Sequence, residues 1–249
     1  MANWNDPQPR QTGFGASPSL SGEATGRATY DMGLRRHMLS IYNYMASGVL
    51  LSGIVAMLFA QSGFAAQIML GGGALAWLII LSPLAFVFAM SFGANRFSTP
   101  ALQAMFWGFA TVMGLSLSTI FLVYTQSSIA LTFFATAAAF AGLSLVGYTT
   151  KKDLSGMGTF LIMGVIGLLV AMVINMFVGS TALQFAISAI GVLIFAGLTA
   201  YDTQRLKMMY YQVAGTDFAG KAIVLGALSL YLDFINMFQF LLSFMGQRD

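Results

Sequence analysis

The sequence predicts an all-α integral membrane protein, a bundle of seven transmembrane helices with its N-terminus in the cytoplasm. Three observations predict it. Hydrophobic residues make up 58% of the 249 and charged residues only 8%, against about 25% charged in soluble domains. Seven apolar segments follow one another, each close to the twenty or so residues that cross a hydrocarbon core of about 30 Å. The basic residues between them fall almost entirely on one side.

Residues 1–30 are polar and rich in Gly, Ser, Thr and Pro, which predicts a disordered cytoplasmic tail; 31–249 form the membrane domain. The tail lacks the apolar core of a cleaved signal peptide. The first segment runs from about His37 to Ala60, and the second from about Gly73 to Phe92 with Pro83 inside it. Pro83 should kink that helix and free a carbonyl for a neighbouring helix to satisfy. The third spans Ala101–Tyr124, the fourth Ile129–Tyr148, the fifth Met157–Val178, the sixth Ala182 to about Leu206, and the seventh Ala222–Met245. None shows the alternating pattern of a membrane barrel.

Ten basic residues lie in the tail and the 2–3, 4–5 and 6–7 loops, and Arg248 alone lies at the opposite face. That asymmetry places the N-terminus and these loops inside and the C-terminus outside. The outer loops, near Thr125–Ser128 and Gly179–Thr181, are short, so segments 3 and 4, and 5 and 6, are antiparallel neighbours. Small residues recur along the segments, among them Gly114, Ser144, Gly164, Gly167, Gly191 and Gly197, and such residues let helix backbones approach closely in lipid.

Of eight acidic residues, only Asp202 and Asp233 fall inside apolar segments. A carboxylate at membrane depth calls for a proton, a partner or a wet cavity. Asp233 shares a helix face with Ser229 and Asn236, and Asp202 with Thr199 and Arg205, beside Tyr201. The plain alternatives are a protonated Asp233 gluing two helices and an interfacial Asp202 paired with a snorkelling arginine. Depth counting does not settle whether the two meet. Asp233 lies twelve residues past Lys221, about 18 Å, and Asp202 five before Lys207, about 8 Å. A sixth helix continuing to Tyr211 would narrow the gap. Two carboxylates in a site of low dielectric resist joint ionisation and hold protons as a coupled pair. Doubly ionised, they would attract calcium, with modest affinity because calcium takes six to eight oxygen ligands.

Several classes fall away. The scattered basic residues, without a stripe or an aromatic platform, exclude nucleic acid as a partner. No helix embeds a lysine for a Schiff base, and no P-loop, Ser-His pairing or His cluster is present. His37 reads as an interface residue, and the absence of cysteine excludes thiolate metal sites. No cofactor is expected.

AYDTQ at 200–204 and ALSLYLDFIN at 227–236 resemble the Bax inhibitor-1 (transmembrane BAX inhibitor motif) family, over roughly residues 30–246. The tail and SFGANR before the third segment point to a bacterial member, in the cell inner membrane. The resemblance implies six helices around a central seventh and a pH-sensitive calcium leak gated by Asp202 and Asp233. It also implies an arginine on the second helix as partner of the pair; the embedded part of that segment has none, and Arg96 at its cytoplasmic end is the candidate. Two rival functions remain. One is a non-conducting regulator of other membrane proteins, such as a membrane protease. The other is an intramembrane aspartyl protease, for which the GxGD and PAL motifs are missing.

Overall fold

A computed structural model describes residues 20–69 and 71–248, with side chains from residue 32 onward. Nine helices are described: α1 (Leu20–Gln61), α2 (Phe64–Met69), α3 (Ala74–Gly93), α4 (Thr99–Leu117), α5 (Ile120–Val123), α6 (Gln126–Thr149), α7 (Ser155–Val178), α8 (Thr181–Val213) and α9 (Ala219–Met245). Two units are distinguished, Met1–Arg36 and His37–Asp249. The first is described only as helical backbone from Leu20 and side chains from Met32. The expected tail therefore falls mostly on 1–19, outside the described residues. The second unit is the bundle.

Among the described residues seven stretches are long and apolar enough to span a membrane: Met32–Gln61, Ala74–Gly93, Thr99–Val123, Gln126–Thr149, Ser155–Val178, Thr181–Val213 and Ala219–Met245. Every expected segment lies within one of them to a residue. Among the described residues no strand forms; a lone bridge joins Tyr124 to Arg248. The protein is an all-α membrane bundle.

Burial is unequal. Of the most apolar window of α9, 61% is buried inside the protein, against 33% or less for each other span. α9 packs on α8, α6, α4 and α3. Its Tyr231 is fully buried and meets the edges of Phe106 and Phe109. The Tyr231 hydroxyl lies 2.6 Å from Ser52 Oγ on α1, which also donates to Ala110 O on α4 at 2.7 Å. A buried tyrosine needs such a partner, and this one pins three helices at a point.

Three expectations change. Pro83 sits inside α3, and the carbonyl that its ring leaves free, Ile79 O, accepts from Ser82 Oγ at 2.9 Å. The repair comes from the same helix, not from a neighbour. The third segment is two helices, because at the α4–α5 joint Ser118 and Thr119 turn their hydroxyls back onto Leu115 O and Ser116 O, competing with the helical ladder. The sixth helix runs to Val213, not Leu206, because KMMYYQV keeps helical propensity after hydropathy has fallen.

The small residues work one by one. A Cβ on Gly147 would strike the Ala200 backbone, and one on Gly158 would strike the Tyr201 ring. These glycines set how closely α6 and α7 approach α8. Gly167 faces open space instead and holds no helix close. Gly179 ends α7 in the left-handed conformation, φ 65°, and Ser180 caps α8 through Leu183 N–H, so the turn between them closes in two residues.

The basic loops gather at one end. Lys207 Nζ donates to Tyr148 O at 2.7 Å and Lys221 Nζ to Ala94 O at 3.2 Å. Gln204 clamps the α6–α7 turn, accepting from Leu154 N–H and donating to Lys152 O, both at 2.8 Å. This end is called the basic face. At the far face the C-terminal strap Gln247–Arg248 is tied to Thr125 and Ser128.

Candidate functional site: the aspartate pair on the α8–α9 seam

α8 and α9 are antiparallel, and three contacts fix one register. Near the basic face Ser229 on α9 donates to Asp202 on α8. Eleven residues along each helix, Gly191 receives the Phe240 ring. Three further on, Ser188 Oγ donates to Ser243 Oγ at 3.0 Å. Equal steps in opposite directions mean that the seam neither slips nor bulges between these points. The extended α8 explains the register. Asp202 lies eleven residues before Val213 and Ser229 ten after Ala219, so both sit about 15–17 Å from their helix ends. Asp233 then falls opposite Leu198, one turn and about 6 Å farther from the basic face.

Asp202 is 7% and Asp233 5% exposed. Asp202 is well served: it accepts from the Ser229 hydroxyl, and Arg205 Nη1 lies 3.7 Å from its Oδ1. The Arg205 side chain is 45% exposed, so the guanidinium reaches from the surface toward a buried carboxylate. Its Cζ also lies 6.0 Å from the centre of the Tyr201 ring. Asp233 is the contrast. It lies within electrostatic reach of Asp202 and Arg205, yet its Oδ2 is buried without a hydrogen-bond partner.

The supporting residues divide. Ser229 joins the aspartates' two helices. Thr199 returns its hydroxyl to Phe195 O, and Asn236 donates to Leu232 O, each within its own helix; neither serves Asp233. Tyr201 packs its ring on Gly158. Arg96 is exposed in the α3–α4 turn, and no hydrogen bond or ion pair joins its side chain to either aspartate. Arg205 is the arginine that the structure brings to the pair. Asp153 lies outside the membrane segments, where the Ser155 hydroxyl and N–H donate to it at 2.6 and 2.9 Å and hold its carboxyl below the usual range.

Sequence reasoning missed two features. The first is the group that braces Asp202: Gln204 in the α6–α7 clamp, and Thr203 Oγ1 donating to Ser144 Oγ at 3.3 Å. The second is an outer polar cluster where α7 meets the same seam, Asn175, Gln184, Ser188 and Ser243. Polar residues spaced by four on α8, Gln184 and Ser188, were its visible signal. Between this cluster and the aspartates, Phe240 seats on Gly191 and stacks on Phe195, centroids 5.7 Å apart at 22°.

Chemically, the inner site offers two carboxylates, a hydroxyl and one half-exposed guanidinium. Two carboxylates one turn apart in a buried seam repel one another whenever both are charged. Among the described residues no group of three His, Cys, Asp or Glu gathers. A cation at the pair would therefore draw most of its ligands from water, hydroxyl and carbonyl oxygen.

Residues 34–249 match the family model described as "Inhibitor of apoptosis-promoting Bax1". A protein of Caulobacter vibrioides is 48% identical over 87% of this chain and 90% of its own length. One from Rickettsia prowazekii is 43% identical over 88% and 93%. The inner membrane protein YbhL of Escherichia coli K12 is 42% identical over 87% and 93%. With the YD and LYLDFIN stretches placed on one helix seam and the match covering the whole bundle, the chain belongs to the Bax inhibitor-1 family.

Proposed function

We propose that this protein is a pH-sensitive calcium leak of the bacterial inner membrane, gated by Asp202 and Asp233. One observation carries the reading: Asp233 is buried at membrane depth with an oxygen that no hydrogen bond reaches, one turn from a second carboxylate. A structural carboxylate would be fully bonded; one left open is arranged for a proton or a cation to come and go. At low pH a proton on the pair keeps the seam closed. As pH rises the proton leaves, and two like charges loosen the α8–α9 contact or recruit a cation to screen them. Arg205, already beside Asp202, tempers that repulsion in the part first assigned to Arg96.

Calcium flux into proteoliposomes of the purified protein tests this. Wild type should show flux that rises with pH. Asp202→Asn and Asp233→Asn should each flatten the profile, and the double variant should add little, since coupled groups are not additive. An unchanged profile in both single variants would end the proposal. The family's description, with its word "inhibitor", favours a second reading as a regulator that binds another membrane protein. Purified wild-type protein without flux at any pH would select it.

The orientation belongs to the same proposal: the basic face is cytoplasmic. The chain has no cysteine, so Lys152→Cys gives a single label site. It should react with an impermeant thiol reagent in inside-out vesicles and not in intact cells; the reverse would invert the topology.

A further inference from the structure

Away from the aspartates, a cavity of about 380 Å³ opens between α1, α5, α6 and α9. Its lining is apolar except at two levels. At the far-face end stand Gln61, the last residue of α1, and Gln126, the first of α6. At the inner end lies Ser52, whose fully buried oxygen is engaged by Gly48 O, Ala110 O and Tyr231. No unmet polar group faces the body of the cavity, and water needs two to four such partners. The space is therefore built for something apolar, and it is no ion route.

Its shape says what. From Gln61 to Val49 the cavity follows twelve residues of α1, about 18 Å, which is the depth of one leaflet of a core about 30 Å thick. It opens sideways toward lipid, where Met57 is 40% and Phe134 71% exposed. Gly53 stands a third of the way along it from Val49, and a Cβ there would meet nothing within 4 Å. A side chain placed at this position would project into the slot. An amide pair at headgroup level above a dry slot one leaflet deep matches an amphiphile end for end.

We propose that this cavity binds one acyl chain of a phospholipid from the far-face leaflet. The chain lies along Gly53, and the ester carbonyls accept from the side-chain amides of Gln61 and Gln126.

Native mass spectrometry of the protein purified in mild detergent tests this, and ion flux does not enter the readout. Wild type should retain one phospholipid. Gly53→Trp fills the slot and should lower the retained fraction roughly tenfold. Gly167→Trp, at another helix glycine facing open space, should leave it unchanged. Replacing both Gln61 and Gln126 by Leu should weaken retention in the same direction as Gly53→Trp. Equal retention in wild type and Gly53→Trp overturns the site, and a free fatty acid retained in place of phospholipid overturns the assignment of the ligand. Should Gly53→Trp fail to fold, wild type is photolabelled with a phospholipid carrying a mid-chain diazirine. Adducts on residues 53–57 and 130–134 support the slot, and their absence there overturns it.

Discussion

The α8–α9 seam buries polar groups twice, in opposite ways. At the outer station every group is neutral and answered: Ser180 N–H donates to Asn175 Oδ1, Asn175 Nδ2 to Gln184 Oε1, Gln184 Nε2 to Ser243 Oγ, and Ser188 Oγ to the same oxygen, all within 3.2 Å. The inner station holds two acids, one satisfied through Ser229 and Arg205 and one left with an open oxygen. Buried polar groups without partners cost about 1–3 kcal/mol, and more when charged. One station contributes stability; the other draws on it. The difference separates a closed polar network from a site left open more clearly than composition does, since both stations are simply polar residues among apolar helices.

Four substitutions probe that contrast, each followed by unfolding in graded SDS. The largest effect is expected at the divider. Gly191→Leu would press a side chain into the Phe240 ring, whose nearest atom lies 2.6 Å from an added Cβ, and should destabilise by about 3 kcal/mol. A change under half of that would mean that the rings yield easily and the stations are not held apart. Gln184→Leu strands Asn175 and Ser243 together and should destabilise by about 2 kcal/mol. Asp233→Leu, at pH 8, should go the other way and stabilise by about 1 kcal/mol, because it removes a group the seam does not satisfy. If Asp233→Leu loses as much as Gln184→Leu, the two stations are alike and the comparison fails. Arg205→Gln should change stability by less than about 1 kcal/mol, with a dependence on salt, because the guanidinium is nearly half exposed and its nearest contact to Asp202 is 3.7 Å.

The spans and the acids were legible in the sequence because both report on solvent. Hydropathy over about twenty residues reads the bilayer, and Asp202 and Asp233 stand out against it. The geometry between helices was not legible, for identifiable reasons. The end of α8 lies beyond the apolar run: Lys207, Met208, Tyr210 and Tyr211 continue the helix on propensity. Without that extension, depth counting separates Asp202 from Asp233 by about 10 Å; with it, the axial offset is one turn. Local hydroxyl competition at Ser118 and Thr119 is likewise invisible to hydropathy, and so is the repair of Pro83 by Ser82. The spacing of small residues marks close packing without naming the partner. Nothing in the order of residues says that Gly147 faces Ala200 or Gly158 faces Tyr201 while Gly167 faces open space.

The stacked Phe195 and Phe240 rings have a consequence for direction. Asp202 reaches the basic face through a guanidinium that is nearly half exposed, whereas the way outward meets two rings and a glycine too tightly filled to take a methyl group. If the pair gates the protein as proposed, protons should reach it from the compartment that the basic face borders. Acidifying that compartment and acidifying the opposite one would then be unequal stimuli.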